Sequence, residues 1–276
     1  MIEANEHDGR VAVVTGGSGA IGAAVTERLR NAGALVHVLD IQPSSLSGAY
    51  FHRVDVGDET EVDAAFDSVG KSFGRIDYLV CCAAIYRPAP FLELRLEDWQ
   101  RTLQINLTGY FLCCRAALRF MRPQKFGRIV MFSSMAARTG GVNTAHYAAS
   151  KGGILGLARS LAIESAAANI RVNTVSPVIT DTPMPRAVLS DQEMESRKTR
   201  IPLGRIGSSA EMADACLFLL SNDSSYVLGQ DLRGATRREG RERAVLLGRR
   251  VTGTEVLRVL GEPREPVDRG GAVQQR

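Results

Sequence analysis

The 276-residue chain is short of what would make it a secreted, metal-binding or membrane-spanning protein. It has five cysteines, an odd count, placed as Cys81-Cys82, Cys113-Cys114 and Cys216. No C-x-x-C spacing occurs, so neither a disulfide framework nor a zinc site reads from them. Buried free thiols in a reducing cytoplasm fit better. The four histidines, His7, His37, His52 and His146, are isolated in the chain, which predicts no catalytic metal. The opening MIEANEHDGR has no apolar stretch and does not read as a signal peptide. The longest run without a charge, Val11–Thr26, has 16 residues and is rich in glycine. It is too short and too broken to span a bilayer, so no membrane partner is expected.

Charge is unevenly spread. The net charge is +4, but residues 233–276 carry eleven Arg against six acids, and the rest of the chain is nearly neutral. That last segment also lacks lysine and aromatic residues. It reads as a poorly ordered tail, with a weak helix at most around 241–260. Arginines can pair with phosphates, yet the interleaved acids and the missing aromatics argue against a nucleic-acid partner.

The remainder, 45% apolar and 23% charged over the whole chain, has the balance and length of one large α/β domain. Short apolar runs at 11–14, 35–39, 52–56, 76–82, 127–133 and 169–176 read as strands. Helical stretches near 59–72, 96–121, 147–168 and 209–221 separate them, and a seventh strand is expected within 225–232. Strands alternating with helices predict a single doubly wound parallel sheet flanked by helices, Rossmann-like, over residues 1–232.

Two features point to a dinucleotide. TGGSGAIG (15–22) lies between the first strand and the first helix, where glycines let the backbone turn sharply and approach a pyrophosphate at a helix N-terminus. Asp40 ends the second strand, 18 residues after Gly22. A carboxylate there can accept both ribose hydroxyls of adenosine and would repel a 2′-phosphate. No basic residue stands at Gly17 or Ile41, so the pair of features points to NAD over NADP.

A third feature is HYAASKGG (146–153). Tyr147 and Lys151 are four apart and share a helix face. Taken alone they read as one side of an amphipathic helix. With the glycine turn and Asp40, the chain resembles the short-chain dehydrogenase/reductase family over about residues 9–230. The family's TGxxxGxG is matched by Thr15, Gly16 and Gly22, with Ala20 in place of the middle glycine. Its YxxxK is Tyr147–Lys151, its serine Ser134, and its helix-borne asparagine Asn106.

The resemblance implies an NAD-dependent oxidoreductase that interconverts a secondary alcohol and a ketone. Tyr147 would be the proton donor and acceptor, Lys151 would lower its pKa and hold the nicotinamide ribose, and Ser134 would bond the substrate oxygen. Asn106 would hold a water in a proton relay. The cofactor would lie along Gly16, Ser18, Gly19, Ala20, Ile21 and Gly22, with Asp40 at the ribose and Asp55-Val56 at the adenine. The backbone at Cys81 and Ala83 would touch the adenosine, and Thr180 and Thr182 the nicotinamide end. Tyr86, Asn143 and His146 are the polar candidates near the substrate. Family members usually form oligomers, so a homodimer or homotetramer is expected, with Cys113, Cys114, Leu118, Leu157 and Leu161 as apolar interface candidates.

Three departures stand out. CCAA (81–84) replaces the family's N-N-A-G. Val178 stands where a loop glycine is usual, which would be costly if that position needs positive φ. DLRGATRREGRERAV replaces the family's closing V-D-G-G, through a real extension or a change of reading frame. A catalytically impaired dinucleotide-binding protein is therefore the alternative function.

Overall fold

The computed structural model describes residues 6–44 and 46–234. The tail read at 233–276, with its weak helix, falls outside the described residues except at Arg233 and Gly234.

Seven parallel strands form one sheet in the order β3-β2-β1-β4-β5-β6-β7. They are β1 (Val11–Thr15), β2 (Leu35–Asp40), β3 (Tyr50–Arg53), β4 (Tyr78–Cys81), β5 (Gly127–Phe132), β6 (Ile170–Ser176) and β7 (Asp231–Arg233). β1, β4 and β5 are buried along their whole length, as expected of continuous apolar runs covered on both faces. The third strand starts two residues earlier than its apolar run suggests, and the seventh is confined to three residues.

Helices cover both faces. One face packs β-sheet residues such as Val13, Leu79 and Ile129 against α2 (Glu59–Phe73), α4 (Gly109–Gln124) and α6 (Ala145–Ser165). The other packs Val14, Val80 and Val130 against α1 (Ala20–Asn31) and α9 (Ser209–Leu220). The stretch expected as one helix over 96–121 is α3 (Leu96–Leu103), a π-helical turn Gln104–Thr108, and α4. A π turn widens the hydrogen-bond ladder and is a frequent feature of functional sites. Shorter helices are α5 (Ala136–Thr139), α7 (Pro183–Arg186) and α8 (Asp191–Lys198).

The strand order reverses between β1 and β4. In open parallel sheets, the crevice at such a switch point, beyond the strand C-termini, is where ligands bind. Cys113 and Cys114 do not supply interface surface: both are buried against the sheet, with Cys81 in the same core. The reason is their position on the inner face of α4, where Leu112, Ala116 and Ala117 are also buried.

Candidate active site

The β1–α1 turn builds one half of the crevice. Gly16 has φ +65°, and a side chain there would meet the Ala83 backbone at 2.6 Å. Gly22 lies hard against the Gly16 carbonyl, where any Cβ would collide. The glycines therefore serve close backbone packing as well as the turn. Gly19 caps α1, so the helix starts with no side-chain cap and has no acid in its first turn. Its first N–H groups and the positive end of its dipole are left for an anion. This cradle fits the pyrophosphate of a dinucleotide.

Asp40 sits at the C-terminal end of β2. Its carboxylate accepts the Ser18 and Gln42 N–H groups, each at 3.0 Å, which fixes it beside the glycine turn. A side chain at Gly17 would strike Val38 at 2.8 Å, so the turn itself resists a basic residue there. Asp55 is partly buried, which raises its pKa, but Arg101 at 2.9 Å and the Gly57 N–H outweigh this and hold it below the usual range. Val56 is buried, in contact with Gly109 of α4.

The other half of the crevice comes from β5, α6 and the π turn. Lys151 is 2% exposed, and its ammonium donates to the Phe132 carbonyl at 2.8 Å. Tyr110 donates to the same carbonyl at 3.2 Å, and its ring lies 5.3 Å from Nζ. Burial lowers the Lys151 pKa to about 8. Nζ lies 5.6 Å from the centre of the Tyr147 ring. Burial pushes Tyr147 up to about 12, with Ser134 acting against the rise and Tyr86 adding to it. The lowering expected from Lys151 does not appear in the protein alone, where burial dominates. Ser134 accepts the Ala136 N–H at 3.1 Å, which orients its hydroxyl at the end of β5.

Asn106, fully buried in the π turn, accepts the Ile85 N–H at 2.8 Å and donates to the Ile85 carbonyl at 3.0 Å and to Ser150 at 3.2 Å. It clamps the chain leaving β4. This matters because Cys81-Cys82 cannot brace that strand as asparagines would. Cys81 is buried in the core, so at most its backbone faces the crevice. Cys82 donates its N–H to the Thr15 carbonyl at 3.0 Å, and Ala83 donates to the Thr15 hydroxyl at 3.4 Å.

Ser134, Tyr147, Lys151 and Asn106 therefore lie on neighbouring elements next to the glycine turn. Tyr86 packs edge-on to Tyr147, with centroids 4.9 Å apart. His146 is not free for a substrate: it is 1% exposed, and Nε2 bonds the Arg87 carbonyl at 2.8 Å. Asn143 remains exposed, with φ +61°. Thr180 is buried with its hydroxyl unpartnered, which suits a polar ligand group, and Thr182 precedes α7. Val178 is not among the described residues with positive φ, so the loop carries no strain there. Residues missed in the sequence are Tyr110, Ser150 and Arg101; only Tyr110 had a signal, its spacing of four from Asn106.

The segment 177–207 follows β6, and its Arg197 is near enough to act on the charge of Tyr86. Arg186 binds Asp181 through two bonds at 2.5 and 2.9 Å and reaches Asp191 at 3.3 Å. Arg205 pairs with Glu211. Asp181, Arg186, Asp191 and Arg205 border a charged cavity of about 510 Å³. Among the described residues, no helix is long and apolar enough to cross a membrane.

The chain is similar to known proteins over most of its length. Residues 16–233 match the family model described as Enoyl-(Acyl carrier protein) reductase. The chain is 38% identical over 234 residues to a 3-oxoacyl-acyl-carrier-protein reductase of Aquifex aeolicus, covering 80% of this chain and 94% of the relative. It is 38% identical over 231 residues to the cis-4-hydroxycyclohexanecarboxylate dehydrogenase of Sinomonas cyclohexanicum, covering 80% and 92%. Among solved structures, the ligand-free aldohexose dehydrogenase of Thermoplasma acidophilum superposes with a TM-score of 0.80. It has 30% identity and coverage of 83% of this chain and 93% of that one.

Proposed function

The chain belongs to the short-chain dehydrogenase/reductase family, and on that premise we propose that it is an NAD(H)-dependent oxidoreductase interconverting a secondary alcohol and its ketone. The observation that carries the proposal is the meeting of Ser134, Tyr147 and Lys151 beside the uncapped start of α1. Residues 1–232 are the catalytic unit in this reading, working as a homodimer or homotetramer in the cytoplasm.

The nicotinamide dinucleotide supplies the hydride acceptor or donor when bound. The residues that would hold it are the Gly16–Gly22 turn at the pyrophosphate, Asp40 at the adenosine ribose, Asp55 and Val56 at the adenine, and Thr180 and Thr182 at the other end. The Cys81 and Ala83 backbone lies between, and Tyr147 and Lys151 would meet the second ribose. Ser134 donates to the substrate oxygen, where charge builds during reaction. Tyr147 takes the hydroxyl proton in oxidation and returns it in reduction. A phenol near 12 is a poor base at neutral pH, so this role needs positive charge delivered beside it. Lys151 and an oxidised nicotinamide would both provide that charge. Asn106 holds the chain between β4 and α3 in place and would seat the water that links Lys151 to solvent.

The names of the relatives span a 3-oxoacyl-acyl-carrier-protein reductase, a cis-4-hydroxycyclohexanecarboxylate dehydrogenase and a D-threitol dehydrogenase. They share alcohol–carbonyl chemistry, and their substrates differ. A panel of secondary alcohols with NAD and with NADP, followed at 340 nm, tests the proposal. Turnover with NAD is expected. No turnover from a protein that still binds NAD would favour the impaired alternative.

A further inference from the structure

Asp40 has a neighbour that chain order hides. In the β2–β3 register Asp40 lies directly opposite Arg53. Residues so paired share a face of the sheet, as His37 and Tyr50 do, whose rings stack at 4.7 Å. Three residues further along both strands, Asp40 and Arg53 share the opposite face, that of Val38, which packs on Gly17. An exposed guanidinium therefore stands at the same strand end as the carboxylate expected to meet the adenosine ribose.

The Arg53 side chain makes no hydrogen bond or ion pair with the described residues; its charge acts on Asp55 without a direct contact. Both oxygens of Asp40 are taken by backbone N–H groups, of Ser18 and Gln42. The Asp55 carboxylate, two residues beyond Arg53, is taken by Arg101 and the Gly57 N–H. Arginine is the side chain best suited to a phosphate, offering a planar pair of charged donors.

We infer that Arg53 is a second determinant of nucleotide choice, a receptor for a 2′-phosphate on the adenosine ribose whose attraction offsets part of the repulsion from Asp40. The inference rests on the proposed nucleotide site. Discrimination against NADP is then shallow in the wild type, and it sharpens when Arg53 is removed.

Binding of 2′,5′-ADP and of 5′-ADP to the full chain, measured by isothermal titration calorimetry, tests this without any substrate. Arg53→Ala is expected to weaken 2′,5′-ADP about tenfold while leaving 5′-ADP within twofold. Arg53→Lys should fall between, keeping the charge but losing the paired donors. Asp40→Ala should strengthen 2′,5′-ADP, and the double variant should lose that gain. Equal affinity for 2′,5′-ADP with and without Arg53, in both Asp40 backgrounds, would overturn the inference. A wild type that binds neither 5′-ADP nor NAD would instead overturn the nucleotide site itself.

Discussion

The floor of the crevice and the segment 177–207, its cover in the proposed function, are held by different physics. On the floor, Lys151, Asn106 and Ser150 are buried, and their bonds go to backbone atoms or to one another. In the cover, Arg186 and Asp181 are exposed and pair with each other, and exposed Arg205 pairs with half-buried Glu211 of α9. A buried polar group that loses its partner pays its full desolvation, while an exposed pair trades one hydrated state for another. The floor therefore holds geometry, and the cover can shift and be rewritten without harming the fold.

The sharpest break of this contrast is Tyr147→Phe. It removes one hydroxyl and keeps the ring against Tyr86. Turnover is expected to fall by at least about 10³-fold, with NAD affinity nearly unchanged. Steady-state kinetics beside NAD titration checks both halves.

Asn106→Ala should be the most damaging change to stability. It strands the Ile85 N–H and carbonyl and costs about 2–4 kcal/mol, read from denaturant midpoints.

Lys151→Met should act in the opposite sense on stability while abolishing activity. Burial lowers the Lys151 pKa from 10.5 to about 8, so the folded protein disfavours the ammonium. Between pH 8 and 10.5 the unfolded chain holds the extra proton, and wild-type stability rises with pH; below pH 8 the penalty is constant. Methionine removes that penalty, and Tyr110 still satisfies the Phe132 carbonyl. A gain of about 1–3 kcal/mol at pH 7 is expected, shrinking by pH 10. Denaturation at both pH values measures it.

The smallest effect belongs to the cover. Arg186→Gln should leave the melting temperature within error and shift KM roughly threefold with little change in kcat. A large loss of stability would show that the cover is as rigid as the floor.

Much of this was legible in the sequence. Apolar runs alternating with helical periodicity gave a parallel sheet, because parallel strands need crossovers and the crossovers are helices. The glycine turn and Asp40 followed from short-range spacing, since strand ends and helix turns place such residues with little help from elsewhere, while Ser134, Tyr147 and Lys151 were singled out by the family resemblance. What depended on distant packing was not legible. The π turn at Asn106 breaks a continuous helical pattern without leaving a local mark. His146 and Cys113 face inward because of what packs over them. The Tyr147 pKa rises because packing buries its hydroxyl, and burial dominates over the Ser134 hydrogen bond.

By itself, then, the sequence determined which groups the chain owns and the order in which they meet the strand ends. Only the tertiary structure decided which of them face one another across strands. Asp40 and Arg53 are 13 residues apart in the chain and opposite each other in the sheet, and register is set by the packing of two whole faces, not by any neighbour in sequence.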